Sequence, residues 1–218
     1  MRLACLIALL LLAPCALSDV TVVKQDKKTL VTVSGEIKRE DMDTLDEVYL
    51  TTTLPVDLTI ASNGGNYLAG LMMGITVNKN RTRTQVYVKY ALSAAAYIAL
   101  GDGLDNLKFL SETAGHEKDD SVLGLHFPTS AVGAPDHAWF ISGAFHQHFL
   151  LVAGLEPKIA AGDTPAMVYS KLYAAQGVAS AVLNLMNTAR EKYGNNGLVT
   201  FRKDRVPKAE DMTLWVPG

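Results

Sequence analysis

The chain has 218 residues, 49% hydrophobic and 19% charged, with 17 Gly and 8 Pro, the composition of a folded domain with a sizeable core and neither a disordered nor a collagen-like one. Twenty Lys and Arg against 22 Asp and Glu leave a formal net charge of -2, so there is no basic excess to neutralise a phosphate backbone and nucleic acid is excluded as the expected partner.

Met1-Arg2 is a short positive start, Leu3 to Leu12 is an unbroken apolar run, and small residues stand at Ala16 and Ser18. This is the pattern of a secretory signal peptide over residues 1–18, with the mature chain beginning near Asp19 and a periplasmic or secreted destination. Pro14 closes the apolar stretch short of the roughly 20 residues of a spanning helix, and it is a poor residue before a lipidated Cys15. Both cysteines, Cys5 and Cys15, lie in this leader, so the mature chain is expected to carry no disulfide, no Cys nucleophile and no Cys-ligated metal. The most hydrophobic later run, Ala91 to Leu100, is too short to cross a bilayer, and no stable membrane insertion is expected.

In chain order, Val20 to Val23 and Leu30 to Val33 read as strands joined by a polar turn at Gln25 to Lys28, and Met42, Leu45 and Val48 give the acidic stretch from Glu40 a helical spacing. Val56 to Ile60 reads as a strand running into a loop at Ala61 to Gly65. A helix with Leu68, Leu71, Met72 and Ile75 on one face follows. Gln85 to Val88 is a strand, Ala91 to Leu100 a helix entered through Leu92-Ser93, and Leu107 to Leu110 and Val122 to Leu125 are short strands. The alternation up to His126 predicts an α/β architecture with a parallel sheet. Beyond Pro128, Ala138 to Ala153, Pro165 to Ala175 and Ala179 to Tyr193 read as three helices separated by glycine-containing breaks. No linker divides the chain, so 19–218 is expected to be one domain, with 19–128 as its α/β core and 129–218 as a mainly helical elaboration.

Three places carry candidate chemistry. Asn63-Gly64-Gly65 offers backbone N–H groups that no side chain obstructs, although such a pair also makes a tight turn. Ser93 stands between a strand and the small-residue helix Ala94-Ala95-Ala96, where a serine either caps the helix or exposes a hydroxyl beside the next N–H. His126 ends a short apolar strand before a Pro turn, as a general base or as a packed histidine. His146 and His148 are two apart on a predicted helix and point to different faces, while His116 and His137 read as loop and cap residues, so no metal site is predicted.

Taken together, Leu58 to Gly65 with Gly70, then Ala91 to Ala99, then Gly124-Leu125-His126-Phe127-Pro128 resemble the proteolytic subunit of the Clp protease and the wider Clp/crotonase superfamily over Val31 to Pro128. The resemblance implies a Clp/crotonase-like ββα-repeat spiral fold with an additional helical C-terminal part. It also implies a serine peptidase without a cofactor, with Ser93 as nucleophile, His126 as general base and the amides of Gly65 and Ala94 as oxyanion hole, next to substrate-binding Asn63 and Gly64; the expected export makes it ATP-independent, since an exported chain would not meet the ATP-driven unfoldase. The third member by the same resemblance is Asp211, which opens Asp211-Met212-Thr213-Leu214-Trp215, with Asp163 and Asp136 as rivals. The sequence departs from the Clp pattern in having Asn63 before the glycine pair and a polar stretch, Glu112 to Ser121, that lengthens the Ser-to-His interval. A noncatalytic scaffold acting through the helical half, and a crotonase-like use of the oxyanion hole on a thioester, are the alternatives. The expected partners are a peptide or protein substrate and further copies of this chain. The homo-oligomer is expected to pack through Ala138 to Ala153, given the apolar Phe140, Phe145, Phe149, Leu150, Leu151, Leu172, Leu183 and Leu185.

Overall fold

The computed structural model describes residues 19–104, 106–110, 121–126, 160–201 and 207–214. The signal-peptide reading, both cysteines, Asp136, the four histidines other than His126 and the interface helix Ala138 to Ala153 lie outside the described residues.

The described chain runs β1 (Asp19–Lys24), β2 (Thr29–Ile37), α1 (Arg39–Thr51), β3 (Val56–Gly65), α2 (Tyr67–Lys79), β4 (Thr84–Leu92), α3 (Ala94–Leu100), β5 (Lys108–Phe109), β6 (Val122–Leu125), α4 (Pro165–Tyr193), β7 (Gly197–Phe201) and β8 (Met212–Leu214). The strands form one 8-stranded sheet in the order β1-β2-β3-β4-β6-β7-β8, with β5 pairing β4 beside that path. β2, β3, β4 and β6 are parallel, whereas β1 and the pair β7 and β8 are added antiparallel. The protein is therefore mixed α/β, and the expected parallel sheet is its centre. Within the stretch expected to be mainly helical, β7 and β8 extend that sheet.

Alternation explains the central strands: in β3, Val56, Leu58, Ile60 and Ser62 are buried while the residues between them are not. Lys28, in the turn after β1, donates to Asp57 at 2.7 Å and ties that hairpin to the start of β3. The first turn of α1 is satisfied by Asp41, whose Oδ2 accepts the Lys38 N–H at 2.6 Å. Its last turn has no basic residue of its own. Arg83 supplies one from the loop before β4, donating to the carbonyl oxygens of Tyr49 and Thr52 with its guanidinium 5.2 Å from the centre of the Tyr49 ring.

Four readings are corrected by these elements. Ala61 to Gly65 is not a loop but the last part of β3, because beyond a register shift Gly64 and Gly65 still pair with Glu36 and Ile37. Ala91 and Leu92 belong to β4, held by pairing with Leu123 and Gly124, so the helix starts only at Ala94. The buried residues of α2 are Ala69, Gly70, Leu71, Met73, Gly74 and Val77, so Leu71 lies inward as expected while Leu68 and Met72 are exposed; glycine stands at positions 70 and 74, where α3 lies closest. The predicted break between the last two helices does not occur, and Pro165–Tyr193 is one helix of 29 residues. It spans about 43 Å; Ala179, Val182, Leu183, Met186 and Ala189 in its second half join the core, whereas Met167 and Tyr173 in its first half are exposed. Leu183 and Leu185, two of the apolar residues of the expected helical part, pack in or against the core.

α3 is buried along its whole length, between α2 and strands β3, β4 and β6. The approach is set by glycine: a Cβ on Gly70 would stand 2.3 Å from the Ala94 carbonyl oxygen, and one on Gly101 2.3 Å from that of Gly74. At the C-terminal end of α3, buried Asp102 accepts the Val86 N–H at 3.1 Å, and burial raises its pKa from the usual carboxylate value.

The same substitution is expected to act with opposite sign at two helical glycines. Gly70→Ala forces backbone against backbone and should destabilise by about 1–3 kcal/mol. Gly177, exposed in α4 with nothing within 4 Å of an added Cβ, should gain about 0.5–1 kcal/mol on replacement by Ala. Urea unfolding midpoints of the two variants check both.

Candidate active site

The parallel centre of the sheet brings the ends of β3, β4 and β6 to one edge, and the chemistry-bearing residues follow those ends. Ser93 comes directly after β4 and His126 directly after β6. Since Leu92 pairs with Gly124 and the Ser93 N–H donates to the Gly124 carbonyl oxygen at 2.9 Å, Ser93 and His126 leave neighbouring strands at nearly the same level.

Ser93 has φ 55° and ψ −122°, and among the described residues it is the one non-glycine with positive φ. It occupies the capping position of α3, yet its side chain makes no capping hydrogen bond. The common reason for a serine at a helix entry is therefore absent, and the half-buried Ser93 stands instead on a sharp strand-to-helix turn. A non-glycine residue held in such a conformation costs about 1–3 kcal/mol and persists only where its surroundings fix it. Here they do so on three sides, through the bond to Gly124, through buried Leu92 and Ala94, and through Gly64.

Gly64 is buried with φ +101°, and a Cβ there would stand 2.6 Å from the Ser93 Cβ and 3.1 Å from the Ala94 nitrogen. Glycine is required twice over, for the conformation and for the contact. The Gly64 N–H donates to the Ser62 hydroxyl oxygen at 3.0 Å, and that hydroxyl donates to the Gly35 carbonyl oxygen at 2.5 Å. Ser62 and Gly35 carry only a weak sequence signal, a small polar residue at an inward position of an apolar strand, facing the Ser34-Gly35 pair where β2 and β3 shift register. Gly65 and Asn63 are exposed. Asn66 caps α2, its Oδ1 accepting the Ala69 N–H at 2.9 Å.

Asp211 is buried just before β8, and its Oδ2 accepts the Lys208 N–H at 2.8 Å. β7 lies between β8 and β6, with Leu125, Val199 and Met212 level across the three strands. Asp163 is at the other end of α4: its Oδ2 accepts from Lys171 Nζ at 2.6 Å and from the Ala160 N–H at 2.7 Å, and the bond from Lys171 holds its carboxyl below the usual carboxylate range. Among the described residues no group of three His, Cys, Asp or Glu side chains is placed to hold a metal ion, and no helix is long and apolar enough to cross a membrane.

No family model matches the chain, and no curated protein matches it. Among solved structures it is similar in part to ClpP1 from Listeria monocytogenes, with a TM-score of 0.42 and 17% identity over 57% of this chain and 72% of that one.

Ser93→Gly should raise stability by about 1 kcal/mol, the relieved strain exceeding the entropy that glycine adds to the unfolded chain. Urea titration of the variant against the parent measures it; a serine selected only for helix entry would show a loss instead.

Proposed function

We propose that this protein is an exported Clp-like serine hydrolase, a peptidase that forms an acyl-enzyme on Ser93. The observation that carries the reading is the positive-φ serine at a strand-to-helix turn, bonded to the carbonyl of Gly124 two residues before His126 and capping nothing. Strain at a residue whose side chain has no structural task is what a presented nucleophile requires.

In the proposed reaction His126 takes the Ser93 proton as Oγ bonds to the substrate carbonyl carbon, and the amides of Gly65 and Ala94 face the developing oxyanion. Collapse of the tetrahedral intermediate breaks the bond to the leaving amine, which receives the proton from His126. Water then adds to the acyl-enzyme by the same route and releases the acid and the Ser93 hydroxyl. Asp211 is assigned the orienting role towards the imidazole. Its rival Asp163, just before α4, is tied to Lys171 of that helix, and no cofactor takes part. The substrate is a peptide or protein, and the working form is a homo-oligomer.

A fluorophosphonate probe should add covalently to Ser93 in the folded protein. Ser93→Ala should keep the fold while lowering turnover by about a million-fold, as loss of the nucleophile does when the triad acts as a unit. Mass spectrometry of the labelled protein and turnover of the variant check this; a folded protein without the adduct leaves the noncatalytic scaffold.

A further inference from the structure

Beside the exposed Gly65, a cleft of about 630 Å³ opens between the end of β2 and the start of α2; Glu36, Lys38, Arg39, Asn66, Tyr67 and Leu68 are among its lining. The volume lies within the range of about 300–1,000 Å³ of pockets that bury a drug-sized ligand. We propose that this cleft binds the acyl half of a polypeptide substrate and selects an apolar side chain at the third residue from the scissile bond. The proposal rests on the serine-hydrolase reading and deepens it.

Direction follows from the strand order. β2, β3, β4 and β6 are consecutive neighbours, so the cleft, Gly65, Ser93 and His126 stand in that order along one edge. The leaving group must lie where His126 can protonate it, on the β6 side. The acyl chain therefore departs on the other side, past Gly64 and Gly65 towards β2.

Distance sets the position. From β4 to β2 is two strand spacings, about 10 Å, and an extended chain covers about 3.3–3.6 Å per residue. The third residue thus arrives in the cleft, whereas an acetyl group does not leave Ser93. Chemistry sets the preference. Leu68 is 64% exposed at the cleft wall beside Tyr67, an apolar side chain in an outward position that the core does not use. Glu36, Lys38, Arg39 and Glu40 supply charges of both signs around it, a rim that leaves apolar contact as the selective element.

The test compares p-nitrophenyl esters of acetyl-leucyl-alanyl-alanine and acetyl-seryl-alanyl-alanine, with p-nitrophenyl acetate as the short acyl donor. The parent should favour the leucyl over the seryl ester in kcat/KM by about tenfold or more, the scale of one apolar pocket contact. Leu68→Asp should abolish that preference without loss of fold, since the position is exposed and an acidic residue suits the first turn of a helix. Leu50→Asp, at a position 86% exposed on α1 and outside the cleft lining, should retain it. Absence of the preference in the parent, or its survival in Leu68→Asp, overturns the cleft assignment while acetylation of Ser93 by the short ester still upholds the hydrolase. If none of the three esters acylates Ser93, both are overturned.

Discussion

The structure depends on how closely the segment from β3 into α2 approaches the one from β4 into α3. Backbone meets backbone there: Gly64 against Ser93 and Ala94, Gly70 against the Ala94 carbonyl, Gly74 against Gly101. Each contact leaves no room for a Cβ on the glycine, so the approach is written in residue type. Because the first contact falls on Ser93 and the second one residue later, the crossing of α2 over α3 and the position of the candidate nucleophile are a single geometric fact. A shift in one moves the other, since a close-packed interior transmits displacement.

Holding Ser93 in its conformation costs about 1–3 kcal/mol, and burial adjacent to it offsets that cost. Tyr97, Ile98 and Leu100 of α3 are fully buried, and Ile98 and Leu100 each contribute about 1.5–3 kcal/mol relative to exposure. Most of this gain is available only if α3 starts where it does, between α2 and the sheet. The alanines Ala94, Ala95 and Ala96 at its start are buried too, with side chains small enough for the crossing and a high helical propensity to begin a short helix. Packing thus fixes a turn that local preference opposes, which is the arrangement expected where a conformation serves chemistry.

Much of this was legible in the sequence, and the failures share a cause. β2 and α1 follow from periodicity because each buries one set of spaced apolar residues, Val31 and Val33 in β2 and Leu45 and Val48 in α1, whereas β1 and β6 are legible as short apolar runs. The glycine pair at 64 and 65 reads as a breaker, yet parallel pairing with β2 keeps it in the sheet; a signal local in sequence lost to a partner far away in it. Ala91 and Leu92 favour helix locally and are strand for the same reason. In α2 the helical spacing of Leu68, Leu71, Met72 and Ile75 predicts one inward face; Leu71 and Ile75 do pack on the core, but the space beside α3 admits Gly70 and Gly74 and leaves Leu68 and Met72 out. Gly177 does not break α4 because it faces open space, where glycine costs about 1 kcal/mol and no more. Of the candidate site, the three motifs were readable as residues, whereas the Ser62 latch to Gly35 and Gly64 needs the register of two strands to be known.

The sheet also ranks the members of the proposed triad by how they are held. Ser93 and His126 follow neighbouring parallel strands, so their spacing is set by one strand separation and one backbone hydrogen bond, about the firmest placement a fold provides. Asp211 belongs to the antiparallel flank. Met212 is level with Leu125 through Val199, so Asp211, one residue before Met212, starts below the edge that His126 occupies and lies across the width of β7. Its carboxylate is held by the backbone of its own turn at Lys208, and its carbonyl oxygen accepts from Thr200 of β7 at 2.9 Å. The acid therefore depends on the docking of β7 and β8, and so on the packing of the second half of α4 against them. A disturbance of that flank would reach the orienting group while leaving nucleophile and base in register, and the proposed activity is expected to fall through loss of orientation before the central sheet loses its structure.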